Sequence, residues 1–537
     1  MEKAKSFTRE MSWLHSWSGL IFGWLLVPIF VTGSICVFYF EIGVWAKPEA
    51  HAMRVAEPAA LVAFSEAHLK KAAPDSRLWQ IILPDVLPRD PFLRLGWLDK
   101  DGKPAGGGFA PDGSGPQART PTIGGLFFVR FHYALNILPW QKHPLGLLIV
   151  GLAGIAFLAN VIAGVVVHKR IFKDFFTFRP KAKSEQRKWL DAHNVLSVLP
   201  LPFHFLIVLT GFAVFCWAYI PSGIATLYNG FDDAFHVDAN LPWQGLAISE
   251  FSDLKGTQPG ASARTVPLAL LLARAQAEFS PERVANIVVR DPGRANAVVE
   301  VFGSDSHDHD PVLRRKNTPR IAFDGASGRV IRIQHGRPLM ATIADAASAL
   351  HFASFGGTAM RLLYLVAGMT GAVMMATGQL VFTIKRREKA VSPGAERFFK
   401  IVDRVNVATI AGVCFASAAH LWAIRLLPYD LAARPAWEVN IFFIAWGIAF
   451  LHAAVRPPGS AWIEQLAATA LLCIALPVLG FMVPNSNLFA MIAKGDWKTA
   501  GVDLGSVVFG VLFASTAWVI SGKRASRSMY NRSLQGA

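Results

Sequence analysis

Eight stretches of this chain are long and apolar enough to cross a lipid bilayer, and nothing else in it limits the possible folds so strongly. They run at about 13–40, 143–168, 194–218, 360–384, 403–424, 437–455, 461–483 and 503–521. A spanning helix needs about 20 such residues, because the hydrocarbon core is roughly 30 Å thick and each residue rises about 1.5 Å. The first stretch follows a basic start but is too long for a signal-peptide core and has no small-x-small cleavage site, so it reads as a retained anchor. Composition agrees: of 537 residues 53% are hydrophobic and 17% charged, against roughly 45–50% and about 25% in soluble domains. An ordinary soluble enzyme and a disordered chain are both excluded. The four cysteines, Cys36, Cys216, Cys414 and Cys473, sit in apolar runs as small packing residues, and no CxxC pair is present.

The net charge of +16 is a topology signal. Basic clusters follow the second span (Lys169, Arg170, Lys173, Arg179, Lys181, Lys183, Arg187, Lys188) and the fourth (Lys385, Arg386, Arg387, Lys389, Arg397, Lys400, Arg404). Others lie at the two ends (Lys3, Lys5, Arg9; Lys523, Arg524, Arg527, Arg532). If the spans alternate, all four clusters share one side, which the positive-inside rule makes the cytoplasm. The expected place is a bacterial inner membrane, with lipid as the surroundings, both termini cytoplasmic and no nucleic-acid partner.

The segments 41–125 and 219–345 are left on the other side. In the second, Leu268–Phe279 reads as an amphipathic helix, Val284–Val289 and Ala297–Val301 as strands, and Arg320–Ile333 as a hairpin turning at Asp324-Gly325 and Ser327-Gly328. The first shows a helix near Ala60–Lys71 and strands near Trp79–Leu83 and Phe92–Leu98.

An internal repeat organises the first four spans. His15 precedes Thr32-Gly33 and His193 precedes Thr210-Gly211, both by 17 residues. Phe131-His132-Tyr133 stands before the second span and Leu350-His351-Phe352 before the fourth; those spans carry Ala163-Gly164 and Thr377-Gly378 and end in basic clusters. Spans five to eight have no such inserts and read as an appended bundle. The divisions are therefore 1–40, 41–125, 126–218, 219–345, 346–390 and 391–537.

Ionisable residues near a membrane are costly and default to functional candidates, and His is the usual axial ligand of haem iron. His15, His168 and His193 lie at the cytoplasmic ends of spans one to three, and His132 and His351 at the opposite face. His204 lies 11 residues beyond His193. On one helix that is about 16 Å of rise and a return to nearly the same face, the stacking that two haems crossing a four-helix bundle need. Any one membrane-end His alone is more ordinarily an interfacial residue or a cap. His420 and His452 read as structural, His143 as a boundary residue, Met374-Met375 as packing, and Asp305–Asp310 as a solvated loop in preference to a metal site. Gly19 and Gly23 read as points of close helix approach. No phosphate loop, dinucleotide fingerprint or His-Glu-x-x-His is present, so electrons would have to come from another donor.

At these residues the chain resembles the PepSY-associated transmembrane proteins. The marks are Leu14-His15-Ser16-Trp17-Ser18-Gly19-Leu20, the Thr-Gly pairs, Asp191-Ala192-His193-Asn194, Leu201-Pro202-Phe203-His204, Leu350-His351 with Gly356-Gly357, and the hairpin Phe323–Val330. They cover about residues 8–390. The resemblance implies an all-α membrane bundle of about eight helices, the first four an internal repeat, with two periplasmic α+β PepSY-like inserts. Some members of the family are inner-membrane reductases of ferric siderophores with two b-type haems. The expectation is thus a membrane-bound oxidoreductase for iron uptake, holding haem b (two per chain) and acting on a periplasmic ferric siderophore. The cytoplasmic-side haem would use His193 with His168 or His15, and the other His132 with His351; His204 is a ligand of unassigned partner or a relay. Its donor would be quinol or a cytoplasmic reductant. The appended bundle, which departs from the four-helix pattern, would dimerise, dock a siderophore-uptake transporter or bind quinol. The competing readings are a PepSY-type membrane-anchored regulator or sensor that binds a periplasmic protein partner without catalysis, and transport of a metal chelate.

Overall fold

The computed structural model describes residues 2–47, 55–84, 92–115, 122–137, 145–168, 184–215, 219, 260–279, 283–304, 320–334, 339–387, 392–482 and 486–535. The chain begins with α1 (Glu2–Ile35), which passes through a 3-10 turn at Cys36–Phe38 into α2 (Tyr39–Trp45). Then come α3 (Pro58–Ala72), β1 (Leu78–Ile82), β2 (Leu93–Leu98), β3 (Pro104–Phe109), α4 (Leu126–Ala134), α5 (Leu145–Val167), α6 (Glu185–Val198) and α7 (Leu201–Val214). The second half holds α8 (Leu268–Phe279), β4 (Arg283–Arg290), β5 (Val298–Ser304), β6 (Arg320–Asp324), β7 (Val330–Gln334), α9 (Leu339–Phe352) and α10 (Gly357–Arg387). It closes with α11 (Pro393–Leu426), α12 (Arg434–Val455), α13 (Pro458–Ala475), α14 (Leu488–Ala493) and α15 (Trp497–Gln535). Two compact units result: residues 1–46, 121–209 and 361–537, and residues 47–120 and 210–360.

The first unit is helical. Among the described residues seven helices are long and apolar enough to cross a membrane, and eight if the bent pair Gln186–Val198 and Leu201–Val214 is one span. In hydrocarbon every backbone amide must bond within its own segment, and a helix does that. Large apolar side chains such as Leu152, Ile155 and Ile162 of α5 stand more than half exposed, as a lipid-facing surface requires. Inside, Phe30, Phe127, Phe131, Phe157 and Phe442 share one buried cluster. The start of α11 is capped: Ser392 accepts from the Ala395 N–H ahead of Pro393, the first residue of the helix.

One expectation is corrected here. The third span is not a straight helix from 194 to 218: it begins at Gln186 and bends by 59° between Val198 and Leu201. Pro200 lacks an N–H, and its ring and that of Pro202 clash with the preceding turn, so His193 and His204 do not stack on one axis.

The second unit contains a seven-stranded antiparallel sheet in the order β3-β2-β1-β4-β5-β6-β7. Its strands come from both inserts, joined at β1 and β4, where Leu78 faces Arg290 and Ile82 faces Asn286. One face packs on α3 and α8 through Leu61, Leu69, Ile81, Leu272, Ile287 and Phe323. The period of α8 buries Leu268, Leu271, Leu272, Ala275 and Phe279, the stripe expected from its sequence. The expected hairpin is β6–β7; Asp324 accepts from the Ala326 and Ser327 amides, and the Ser327 bond holds its carboxyl below the usual carboxylate range. Strand β3 escaped the sequence reading because Gly106-Gly107-Gly108 lacks strand propensity. Glycine is needed there: a Cβ on Gly106 would run into the Leu95 carbonyl. Since Ile287 is fully buried at the join, Ile287→Ala should cost about 2–5 kcal/mol. The readout is faster limited proteolysis within 260–334, and wild-type resistance would mean that this join does not hold the sheet.

Candidate functional site

Four of the six candidate histidines are held in one way, each ring flush against a glycine of a helix. His15 lies on Gly164, His193 on Gly378, His132 on Gly33 and His351 on Gly211; a Cβ built on these glycines would stand 3.2, 3.0, 2.5 and 3.0 Å from the ring. The glycines are those of the Ala-Gly and Thr-Gly dipeptides that mark the repeat, so the repeat preserves a seat for an imidazole. Each ring is oriented through Nδ1, with its neighbour at 3.0 Å (His15 to the Asn160 carbonyl), 2.8 Å (His193 to the Met374 carbonyl), 2.9 Å (His132 to the Ile29 carbonyl) and 3.2 Å (His351 to the Thr210 hydroxyl). In the first three the carbonyl belongs to the residue four before the seating glycine. A carbonyl acceptor on Nδ1 fixes the tautomer that leaves Nε2 as the electron-pair donor, the arrangement typical of metal-bound histidines.

Within the first unit His15 and His193 face each other. Their ring centres are 6.2 Å apart and the planes cross at 63°. Four helices frame the pair: α1 and α6 carry the rings, and α5 and α10 the glycines. No hydrogen-bond partner for Nε2 of either ring exists among the described residues. Two imidazoles bound to one iron stand about 6 Å apart, since each metal–nitrogen bond is about 2 Å and the ring centre lies roughly 1 Å behind the nitrogen. The spacing of these two rings is thus compatible with one metal ion held between them. His168, at the end of α5, is within electrostatic reach of both rings, but the ring opposite His193 is that of His15.

His132 lies in the first unit and His351 in the second, each seated as above. His204 is 1% exposed and differs from the other four. It turns Nε2 to the Ala367 carbonyl at 3.0 Å, over Gly371, among the rings of Phe30, Phe157 and Phe203. It has no counterpart in the first repeat, where Leu26 holds the equivalent position.

Of the remaining candidates, His452 joins Glu464 and Arg456 in a partly exposed ion pair, and His420 is fully buried against backbone carbonyls. Met374 contributes only its carbonyl to the His193 seat, and Met375 packs in the core. Gly23 does meet Gln379 closely, while Gly19 has room. His143, Cys216 and Asp305–Asp310 lie outside the described residues, and among the described ones no three His, Cys, Asp or Glu converge. Sequence reasoning missed Asn160, whose carbonyl seats His15 and whose side chain accepts from Ser18 at 2.8 Å. It also missed the ion pairs Glu41–Arg361 and Arg434–Glu438, both at 2.6 Å. Polar residues inside apolar stretches were the available signal.

Comparison with known proteins places this geometry in a wider group. The family described as PepSY-associated TM region matches residues 12–386, which takes in all six histidines and the sheet. The uncharacterized protein PA4219 of Pseudomonas aeruginosa is 26% identical over 387 residues, a match that covers 70% of this chain and 90% of the relative.

Proposed function

The chain belongs to the PepSY-associated transmembrane family and is a multi-pass membrane protein, and from that premise we propose that it is an inner-membrane haem-b reductase that passes electrons to a periplasmic ferric siderophore. The observation that carries this reading is the His15–His193 pair, two seated imidazoles 6.2 Å apart with no hydrogen-bond partner on either Nε2 among the described residues. A haem held between them supplies reversible one-electron chemistry. The chain's own part is to orient and to exclude water. The Asn160 and Met374 carbonyls lock the tautomer through Nδ1, and the glycine seats set the depth of each ring between its helices. His132, seated alike, is a ligand candidate for a second haem. Placing the basic clusters in the cytoplasm sets His15 and His193 at the inner side and the inserts in the periplasm. Reduction releases the cargo because a siderophore holds Fe(II), softer and less charged, far more weakly than Fe(III).

The test is an absorption spectrum of detergent-purified protein before and after dithionite, with a pyridine haemochrome count. About two b-type haems per chain, reoxidised on addition of a ferric siderophore, is the expected result. Colourless protein from haem-sufficient cells would overturn the reading and leave a membrane-anchored regulator as the alternative.

A further inference from the structure

The helices α11–α15 lie wholly beyond the family match at 12–386. We propose that they are a positioning clamp: they grip the two stems of the first insert and so fix helix α4, which carries His132. The role assigned to His132 rests on the reading above; the grip itself does not.

Both stems are held by buried polar groups of the appended helices. The stem leaving the insert is Thr122–Gly124, which runs into α4. The carboxylate of Glu438 on α12, fully buried, accepts from the Thr122 hydroxyl and the Ile123 N–H, both at 2.9 Å, and from the Gly124 N–H at 3.4 Å. Its charge is met by Arg434, also fully buried, at 2.6 Å; the same guanidinium donates to the Ile424 carbonyl at 2.5 Å and the Leu427 carbonyl at 3.3 Å. His420 of α11 lies 3.0 Å from the Glu438 carbonyl and 3.3 Å from that of Gly124, with its ring 4.2 Å from that of Phe127. Phe442 of α12 completes the contact, 4.7 Å from Phe127 and 5.3 Å from Phe131.

The stem entering the insert ends at Trp45. Its indole N–H donates to Asp503 of α15 at 3.0 Å, and Arg425 of α11 lies over its ring at 4.0 Å. On its far side α4 has no slack. A Cβ on Gly125 would run into the Tyr39 carbonyl, and one on Gly124 would touch Gly43 of α2 at 3.4 Å.

Apolar packing alone would join two bundles in lipid. A buried ion pair costs several kcal/mol in desolvation, repaid only when its geometry is complete, and this one bonds directly to the amides of Ile123 and Gly124, just ahead of α4. A carboxylate there also favours the positive end of the helix. The nine residues of α4 are too short to absorb a tilt, so a shift at Thr122–Gly124 is passed into the helix and reaches His132, less than two turns after its first residue Leu126, moving it on Gly33. Glu438 is therefore a positioning residue for His132.

The test uses the full chain in detergent with two variants: Glu438→Gln, and the apolar pair Arg434→Met with Glu438→Leu, which leaves no lone buried charge. Hydrogen exchange of peptides from 122–134 should quicken at least about tenfold, while peptides from α3 stay as in wild type. In a His193→Ala background, the remaining haem should then show a shifted or broadened Soret band in both variants. Unchanged exchange overturns the clamp. Fast exchange with an unaltered haem band overturns the positioning of His132 and leaves only a stabilising joint. Colourless wild-type protein overturns the haem reading instead, and the exchange rates alone then decide whether the clamp exists.

Discussion

Replacing His193 by alanine should remove about one haem equivalent per chain while leaving the helices intact. The ring touches its seat through Nδ1 and the face over Gly378. Once it is gone, the Met374 carbonyl still accepts its ordinary intrahelical bond, so no orphaned polar group is left to unfold α10. The vacated space is imidazole-sized, and added imidazole should restore much of the lost absorbance. His15→Ala should behave alike, because the 6.2 Å pair has no spare member. His168→Ala should keep the haem and change its band only slightly, since His168 stands beside the pair. His452→Ala is the control: its contact with Glu464 is partly exposed and far from the pair, so its loss should leave the haem count unchanged. The measurement is a pyridine haemochrome count with circular dichroism on the same samples. Wild-type haem content in His193→Ala would end the assignment of this pair. Loss in His168→Ala but not in His15→Ala would move the ligand to the end of α5.

The spans were legible in the sequence because lipid imposes one demand, about 20 apolar residues, that local composition expresses fully. Helix α8 and the β6–β7 hairpin were legible for a similar reason, since the stripe Leu268–Phe279 and the turn at Asp324-Gly325 are local signals. What required a distant partner was not. The join of Ile82 to Asn286 unites strands more than 200 residues apart, and no pattern within either insert announces it. The bend at Pro200 was written in the chain, but hydropathy averages over it. Glu438 was hidden because Arg434, four residues earlier, sits at the mouth of the same apolar stretch and neutralises it. The repeated Ala-Gly and Thr-Gly dipeptides were visible as repeat markers, yet a missing Cβ acquires meaning only once a ring from another helix is seen lying on it.

Those seats give a graded prediction. Alanine in place of glycine within a helix ordinarily stabilises it by up to about 1 kcal/mol, so Gly→Ala at positions 33, 164, 211 and 378 should hold or raise thermal stability wherever space allows. The space differs. A new Cβ on Gly33 would stand 2.5 Å from both Cε1 and Nδ1 of His132, closer than real Cβ atoms come, and that ring is tied to the Ile29 carbonyl at 2.9 Å. On Gly211 and Gly378 the nearest ring atom is at 3.0 Å, and on Gly164 at 3.2 Å, where a few tenths of an ångström of give suffices. Haem loss should therefore be greatest in Gly33→Ala, intermediate in Gly211→Ala and Gly378→Ala, and least in Gly164→Ala. Stability should not follow that order, because displacing an imidazole from its seat costs the bundle one hydrogen bond of about 1 kcal/mol and alanine offsets most of it. Haem content and melting temperature, measured together across the four variants, separate a seat that aims a ligand from a glycine that merely lets two helices touch. Equal haem content in Gly33→Ala and Gly164→Ala would mean that the rings take their direction from elsewhere.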